Sequence, residues 1–393
     1  MKPLWIPNEA SGSDHAMNHI LITGGAGFIG THLSRLALGS GHQVTVLDNL
    51  SPQVHGQGAV GFEPPKGASF IRGDVTLRDD LERAVRGVDT IVHLAAETGT
   101  GQSMYEIDRY YGVNVQGTAL LFDVLANAGH DVSNFVLASS RSVYGEGAYL
   151  CSTCEPDGRR CFPDPRSPRQ LAASDWSPRC QECGDVVRPT ATRESDRLSP
   201  ASIYATTKLA QEHLVSVACR AQGLAHTILR FQNVFGEGQS LTNPYTGILS
   251  IFSTRARLGL PLPIFEDGEE TRDFIHVADV ADAILKCVEH PNDHGLTINV
   301  GSGQPTSILS IAKLLCRTMN ATSDLEITGQ YRVGDIRHNF ADISLIGKAM
   351  GFEPRVSIDD GMRRFCDWIV TQPVPQDLLD KANNELKERN LLG

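Results

Sequence analysis

Tyr204 and Lys208 stand four residues apart in a stretch whose pattern predicts a helix over 201–222. Residues at i and i+4 share one helix face. An ammonium beside a phenol favours the phenolate, so Tyr204 could act as a base near neutral pH on a substrate hydroxyl. Such a pair alone is more often a surface contact, and its weight comes from its surroundings. A strand predicted over 134–139 runs into Ala138-Ser139-Ser140-Arg141-Ser142-Val143-Tyr144-Gly145. A serine hydroxyl at that strand end, Ser140 above all, could bind the same reacting oxygen.

A second constellation points to a dinucleotide. The strand His19–Thr23 enters Gly24-Gly25-Ala26-Gly27-Phe28-Ile29-Gly30. Gly24 permits a tight turn, Gly27 a close approach of backbone to pyrophosphate, and Gly30 the packing of helix on strand. Phe28 and Ile29 open a helix whose N-terminal amides would face the phosphates. The next strand ends in Asp48-Asn49, eighteen residues after Gly30. A carboxylate there hydrogen-bonds a ribose 2′-hydroxyl and repels a 2′-phosphate, which favours NAD over NADP. Asp74-Val75 follows another predicted strand, where Asp74 could meet the adenine amino group. Leu94-Ala95-Ala96 ends a further one, with side chains small enough to let the cofactor pass.

A third constellation is metal-like. Cys151-x-x-Cys154 and Cys180-x-x-Cys183 are separated by 25 residues, and Gly184 suits a tight knuckle. Four thiolates on two turns make the usual tetrahedral structural zinc site. The segment carries few apolar residues, so metal binding would supply its folding energy. Neither pair opens a helix after a strand, which argues against a redox role. The alternative is a loop of free or paired-off cysteines, and Cys161 is spare in either case.

The elements that must position these groups follow from the rhythm of the chain. Over 18–145, continuously apolar strands alternate with helices, including a long one over 114–128. That pattern predicts an α/β fold with a doubly wound, Rossmann-type parallel sheet covered on both faces. Residues 146–192, with six prolines and the clustered cysteines, break the rhythm as an insertion. The rhythm resumes over 193–232. Residues 233–376 form mainly a smaller, discontinuous substrate domain, with 278–300 returning to the sheet. Residues 1–17 read as a disordered extension, or Met17 is the true start, and 377–393 as a charged C-terminal helix of unassigned role.

With 35 basic and 46 acidic residues, the net charge is −11. Such a chain has no general attraction for nucleic acid or an anionic membrane, and an anionic substrate must be met by local arginines. No apolar run nears the ~20 residues of a membrane span. Nine cysteines, an odd number in a long chain, fit the reducing cytoplasm, with Cys219, Cys287, Cys316 and Cys366 expected as buried thiols.

Taken together, these motifs resemble the extended short-chain dehydrogenase/reductases of the nucleotide-sugar epimerase/dehydratase family. Further matching pieces are Asn114-Val115-Gln116-Gly117-Thr118, Arg230-Phe231-Gln232-Asn233-Val234-Phe235-Gly236, Thr271-Arg272-Asp273-Phe274-Ile275-His276-Val277 and Arg332-Val333-Gly334-Asp335. The resemblance implies Tyr204 as base, Lys208 as its partner, Ser140 as the hydroxyl on the substrate oxygen, and Asn114 and Ser139 beside NAD. It implies substrate contacts from Thr98, Gln102, Ser103, Arg141, Ser142, Asn233, Arg272 and Arg332, the last two and Asn233 toward the nucleotide phosphates. The family's 4,6-dehydratases carry Thr-Asp-Glu where this chain has Ser140-Arg141-Ser142, so loss of water is disfavoured. What remains is inversion at C4 of a nucleotide-linked hexose or 6-deoxyhexose. A reductase, a decarboxylase and a non-catalytic NAD sensor are the alternatives. The 98–105 stretch and the Cys-rich insertion are similar to dTDP-rhamnose 4-epimerase-like members, with UDP-hexose 4-epimerase-like members also in view. Relatives pair through two long helices, which implies a homodimer built on 114–128 and 201–222.

Overall fold

The computed structural model describes residues 17–56, 62–154, 159–241, 243, 245 and 247–393. The expectation for the N-terminal extension therefore lies almost wholly outside the described residues. In chain order the strands are β1 (His19–Thr23), β2 (Gln43–Asp48), β3 (Ser69–Arg72), β4 (Thr90–His93), β5 (Asn134–Ser140), β6 (Tyr149–Leu150), β7 (Arg160–Cys161) and β8 (Arg188–Pro189). They continue with β9 (Ala225–Phe231), β10 (Asn233–Phe235), β11 (Leu262–Ile264), β12 (Thr271–His276), β13 (Leu296–Val300), β14 (Pro305–Ser307), β15 (Leu325–Ile327) and β16 (His338–Asn339).

Seven strands form one parallel sheet in the order β13-β9-β5-β4-β1-β2-β3. Its strands are apolar on both sides because both faces are covered. Ile20, Ile22, Val44, Val46 and Val136 pack with residues of the helices Phe28–Gly39 and Val277–Glu289. Leu21, Leu47, Phe135 and Leu137 point the other way, among residues of the helices Arg78–Ala84, Gly117–Asn127 and Ile203–Gln222. The order reverses between β1 and β4, and in such sheets ligands bind beyond the carboxyl ends of the strands at that switch.

A smaller lobe holds β10-β12-β14, with β16 also on β12, and the pair β11-β15. Its core includes Phe235, Phe252, Ile264, Phe274, Ile311 and Phe365. The substrate region returns to the sheet more often than the sequence pattern indicates. Besides 278–300, the helix Ser344–Met350 buries Ile346 and Met350 in the first sheet core, followed there by Phe352. The insertion has its own antiparallel sheet, β7-β6-β8, over a core of Tyr149, Cys151, Cys180 and Val187.

The helix expected over 114–128 begins differently. Residues Tyr111–Gln116 form a π-helical turn that leads into Gly117–Asn127. Such turns are rare and occur often at functional sites. The C-terminal helix spans Leu379–Lys387 and buries Leu379, Ala382 and Leu386. Of the four scattered cysteines, Cys219, Cys287 and Cys366 are buried and Cys316 is partly exposed.

Candidate active site

A cleft of about 630 Å³ runs from the carboxyl ends of β1, β2, β4 and β5 into the smaller lobe. Its sheet end is a glycine turn. Gly24 sits at φ +67°, and a Cβ there would lie 2.7 Å from the Ala95 backbone nitrogen. A Cβ on Gly30 would strike Gly25 at 2.5 Å, so strand and helix meet at glycine. At Gly27 a Cβ would touch just the Gly24 carbonyl, and its other side opens to the cleft. This cradle fits a pyrophosphate beside the N-terminus of Phe28–Gly39. Asp48 is buried on the cleft wall and accepts from the Ala26 and Leu50 amides at 3.1 and 2.8 Å. Asn49 donates to Asp74 at 2.8 Å; burial pushes the Asp74 carboxyl up, but hydrogen bonds from Asn49 and Thr76 outweigh it and hold the group below its ordinary value. Phe28, Ile29, Val75, Leu94, Ala95, Ala96 and Ser139 also line the cleft.

The reactive centre lies where β5 ends against the helix Ile203–Gln222. Ser202 caps that helix, accepting from the Ala205 amide at 3.1 Å, and Gly223 closes it in the left-handed conformation. Tyr204 thus falls in the first turn, facing the end of β5. Its phenol lines the cleft together with Ser140. Burial raises the phenol's pKa above its ordinary value, against the smaller pull of Ser140 and of the Arg141 charge. The expected partner, Lys208, has its Nζ 5.9 Å from the centre of the Tyr204 ring. Lys208 is buried and donates to the Ala138 carbonyl at 3.0 Å, and burial brings its pKa down to about 7 against the pull of Glu212. Arg141 Nε donates to Asn233 Oδ1 at 3.0 Å, and burial and Arg272 bring its own pKa down to about 9.

Beyond Asn233 the cleft is lined by Phe265, Glu270, Arg272 and Arg332. Arg272 donates to the carbonyls of Ile336 and Arg337 at 2.7 and 3.1 Å. The Arg332 guanidinium lies 4.9 Å over the Phe265 ring. Among the described residues, Ser142 Oγ, Gln232 Oε1 and Nε2, Glu270 Oε2 and Arg332 Nε are buried on this wall without a hydrogen-bond partner. Buried polar atoms are ordinarily satisfied, so this end of the cleft is built for a polar ligand.

Three expected contact residues do not line the cleft. Gln102 is turned inward, donating to Gln53 and Glu106 at 3.2 and 3.1 Å. Ser103 is buried and braces the site from behind, accepting from the Tyr204 amide at 3.0 Å. Asn114, rotated inward by the π-helical turn, ties Glu97 to Thr207 through bonds of 2.8, 3.1 and 3.0 Å. These side chains brace the 97–103 loop, of which Glu97, Thr98, Gly99 and Thr100 line the cleft. Lys208 also stands behind the lining. Sequence reasoning missed Tyr245, Glu270 and Leu379, all on the wall. Burial raises the Glu270 carboxyl to about 7.

The cysteines converge as their spacing predicts. The four Sγ atoms of Cys151, Cys154, Cys180 and Cys183 lie within 4.8 Å of one another. Cys151–Cys183 is 3.6 Å and Cys154–Cys180 is 4.0 Å. A tetrahedral zinc with Zn–S bonds of about 2.3 Å has edges of about 3.8 Å, so the donor set fits the ion.

A doubly wound sheet with a glycine cradle, a Ser-Tyr centre and an arginine-lined far end defines a dinucleotide-dependent enzyme acting on an anionic, polar substrate. The model of the NAD dependent epimerase/dehydratase family matches residues 20–168 and 176–301, and the chain belongs to that family. It is 39% identical to the dTDP-L-rhamnose 4-epimerase of Burkholderia thailandensis, over 93% of this chain and 96% of that one. The solved UDP-N-acetylglucosamine 4-epimerase of Methanobrevibacter ruminantium, in complex with UDP-N-acetylmuramic acid, matches with TM-score 0.72 and 27% identity, covering 91% and 99% of the two chains. The UDP-glucuronic acid 4-epimerase of Bacillus cereus, in complex with UDP-glucuronic acid and NAD, matches with TM-score 0.72 and 26% identity over 90% and 99%.

Proposed function

We propose that this chain is an NAD-dependent nucleotide-sugar 4-epimerase, which inverts C4 of a nucleoside-diphosphate hexose or 6-deoxyhexose through a 4-keto sugar. The observation that carries this reading is that Tyr204 and Ser140 line one wall of a cleft that joins a glycine cradle to a set of arginines. Bound NAD supplies the hydride acceptor and donor. Gly24, Gly27, Gly30, Asp48 and Asp74 would hold it.

Tyr204 takes the proton of the C4 hydroxyl, with Ser140 hydrogen-bonding the same oxygen. Arg141 favours the phenolate form of Tyr204 that accepts this proton. Tyr204 returns the proton once the keto sugar has presented its other face. Asn233, Arg272 and Arg332 bind the diphosphate, as buried arginines suit a phosphate fork. Residues 141 and 142 are Arg and Ser, so the two carboxyl groups that would drive loss of water are replaced there.

The test is to incubate the purified protein with dTDP-L-rhamnose, UDP-glucose, UDP-galactose and UDP-glucuronate separately and follow the sugar protons by NMR. A C4-inverted product without added cofactor supports the reading and identifies the sugar. Net NADH consumption would make the protein a reductase, and release of carbon dioxide a decarboxylase.

Three further parts belong to this reading. The four clustered cysteines hold a structural zinc ion, supported by their Sγ spacing, and the metal content of the purified protein checks it. The protein works in the cytoplasm, where thiols stay reduced. It is a homodimer paired through the helical stretch 107–127 and the helix Ile203–Gln222, whose apolar Ile107, Tyr111 and Val217 are exposed. Val217→Asp should then yield monomers in sedimentation.

A further inference from the structure

The insertion does more than hang beside the cleft. It touches the segment 331–338 at four places. Trp176 packs on Tyr331 with ring centroids 6.2 Å apart. Arg166 Nη2 donates to the Asp335 carbonyl at 3.0 Å. Glu146, at the root of the insertion, accepts from the Arg337 amide at 2.8 Å. Tyr149 OH reaches Glu146 at 3.0 Å, and its ring lies 6.3 Å from that of His338. A buried ion network locks these contacts together. Arg166, with a side chain 1% exposed, pairs with Glu266 at 2.7 Å and lies 3.5 Å from Glu146. Arg337 shares Glu266 at 2.9 Å.

That segment carries Arg332, and its Ile336 and Arg337 carbonyls are what orient Arg272. Two of the cleft's cations therefore take their positions from backbone that the insertion grips.

The insertion itself has little to hold it. Its buried core is Tyr149, Cys151, Cys180 and Val187, with Cys154 and Cys161 packed against it. Three of these six side chains are clustered thiols, and a fourth is the thiol of Cys161. Glu146 lies five residues before Cys151, with β6 between them, and the segment from Arg166 through Trp176, which includes the short helix Pro168–Ala172, leads into Cys180. Both gripping groups are tethered close to the knuckle.

We propose that the Cys-rich insertion is the positioning clamp of the nucleoside-diphosphate subsite, with the four-cysteine knuckle holding Glu146 and Arg166 in place and these holding the Arg332 segment and Arg272. This rests on the reading of Arg272 and Arg332 as diphosphate ligands and of the knuckle as a metal site. The clamp acts on the nucleotide half of the substrate. The NAD cradle, on the sheet, is independent of it.

The test is titration calorimetry with dTDP and with UDP, alongside NAD content, on the full chain. It compares the protein as purified, the protein stripped of metal by chelation under reducing conditions, Arg166→Leu, and the milder Trp176→Ala. The clamp predicts a dissociation constant for the better-bound nucleotide raised at least tenfold by stripping or by Arg166→Leu. Trp176→Ala should raise it twofold to fivefold, and NAD content should be unchanged throughout. In turnover, KM for the sugar nucleotide should rise with kcat within threefold, a split that general destabilisation would not give. Nucleotide affinity within twofold in both Arg166→Leu and Trp176→Ala overturns the proposal. So does NAD loss in step with nucleotide loss in Trp176→Ala, which tests the clamp even if Arg166→Leu fails to fold. A protein that purifies without metal, yet loses dTDP affinity on Arg166→Leu, overturns the metal's part and supports the clamp. Nucleotide binding needs no sugar chemistry, so failure of the epimerase reading would show separately, as intact binding without turnover.

Discussion

Arg230 and Glu212 form the pair on which the reactive centre rests, and Arg230→Met is the perturbation to make there. The two groups meet in a fork, with Nε to Oε1 at 2.9 Å and Nη2 to Oε2 at 2.7 Å, and both side chains are 5% exposed. At that burial the pair is in the regime where removing one partner strands a charge and costs about 3–5 kcal/mol. Glu212 also accepts from Ser139, while the Tyr144 ring lies 4.8 Å from the Arg230 guanidinium. The double variant Arg230→Met/Glu212→Met removes the stranded charge. It leaves Ser139 without its acceptor, a cost of about 1–3 kcal/mol, while Tyr144 keeps its bond to Asn299 at 2.7 Å. The double variant should therefore be more stable than the single one, by about 2 kcal/mol. Urea unfolding at one fixed NAD concentration measures both, since ligand binding to the folded state would otherwise shift the midpoints. A double variant as unstable as Arg230→Met, or a single variant within 1 kcal/mol of the parent, would refute the assignment of this pair as a buried charge network.

Tyr204→Phe should lower turnover by about 10²–10⁴-fold, the range for loss of a positioned acid–base group, with NAD content unchanged. Arg141→Gln should move the limb on which kcat rises with pH upward, because a cation that lowers the pKa of the base Tyr204 is lost; an unmoved profile would count against Arg141. Burial pushes the Glu237 carboxyl up, but the His276 hydrogen bond and the charges of His276 and His32 outweigh it, leaving its pKa at about 2 against an ordinary 4.5. The folded value lies below the unfolded one, so this stabilisation is complete above about 4.5 and is lost as pH falls toward 2; Glu237→Gln should flatten the acid limb of a stability–pH curve. Tyr105 and Tyr245 both donate to Glu385 Oε2, at 2.8 and 2.7 Å, so the C-terminal helix ties two segments at the cleft mouth together. Glu385→Leu should raise KM several-fold with kcat little changed, and Tyr105→Phe, which leaves the second bond, should do less.

The sheet was legible because its signals are local. Gly24, Asp48, Asp74, Leu94 and Ser139 each follow or close a run of apolar residues, and a parallel sheet brings the ends of such runs to one edge. Tyr204 and Lys208 were legible through a helical period of four. What stayed hidden depends on contacts far apart in sequence or on the rotation of a single turn. Asn114 faces inward because the helix makes a π turn at Tyr111–Gln116, and no periodicity announces that. Gln102 and Ser103 face away from the cleft for a related reason: their short helix, Thr100–Ser103, packs against the helix of Tyr204. The C-terminal helix has an amphipathic pattern, but what it covers is set by Tyr105 and Tyr245, 280 and 140 residues from Glu385.

The arginines show the same division and suggest how it can be resolved. In a chain of net charge −11, most buried guanidinium groups find carboxylates: Arg230 takes Glu212, Arg166 takes Glu266, and Arg337 takes Glu266 and Asp267. Their charge is spent inside the protein. The cleft arginines are held by neutral partners instead. Arg141 leans on the Asn233 amide, Arg272 on backbone carbonyls, and Arg332 on the Phe265 ring. Such partners fix a guanidinium in space without a carboxylate hydrogen-bonded to it. A desolvated cation in that state gains strongly from an arriving anion. Sequence spacing separates neither group, since Arg230 and Arg272 both sit within strands. The chemistry of the partner separates them, and it marks the end of the cleft where a diphosphate would find charge already in position.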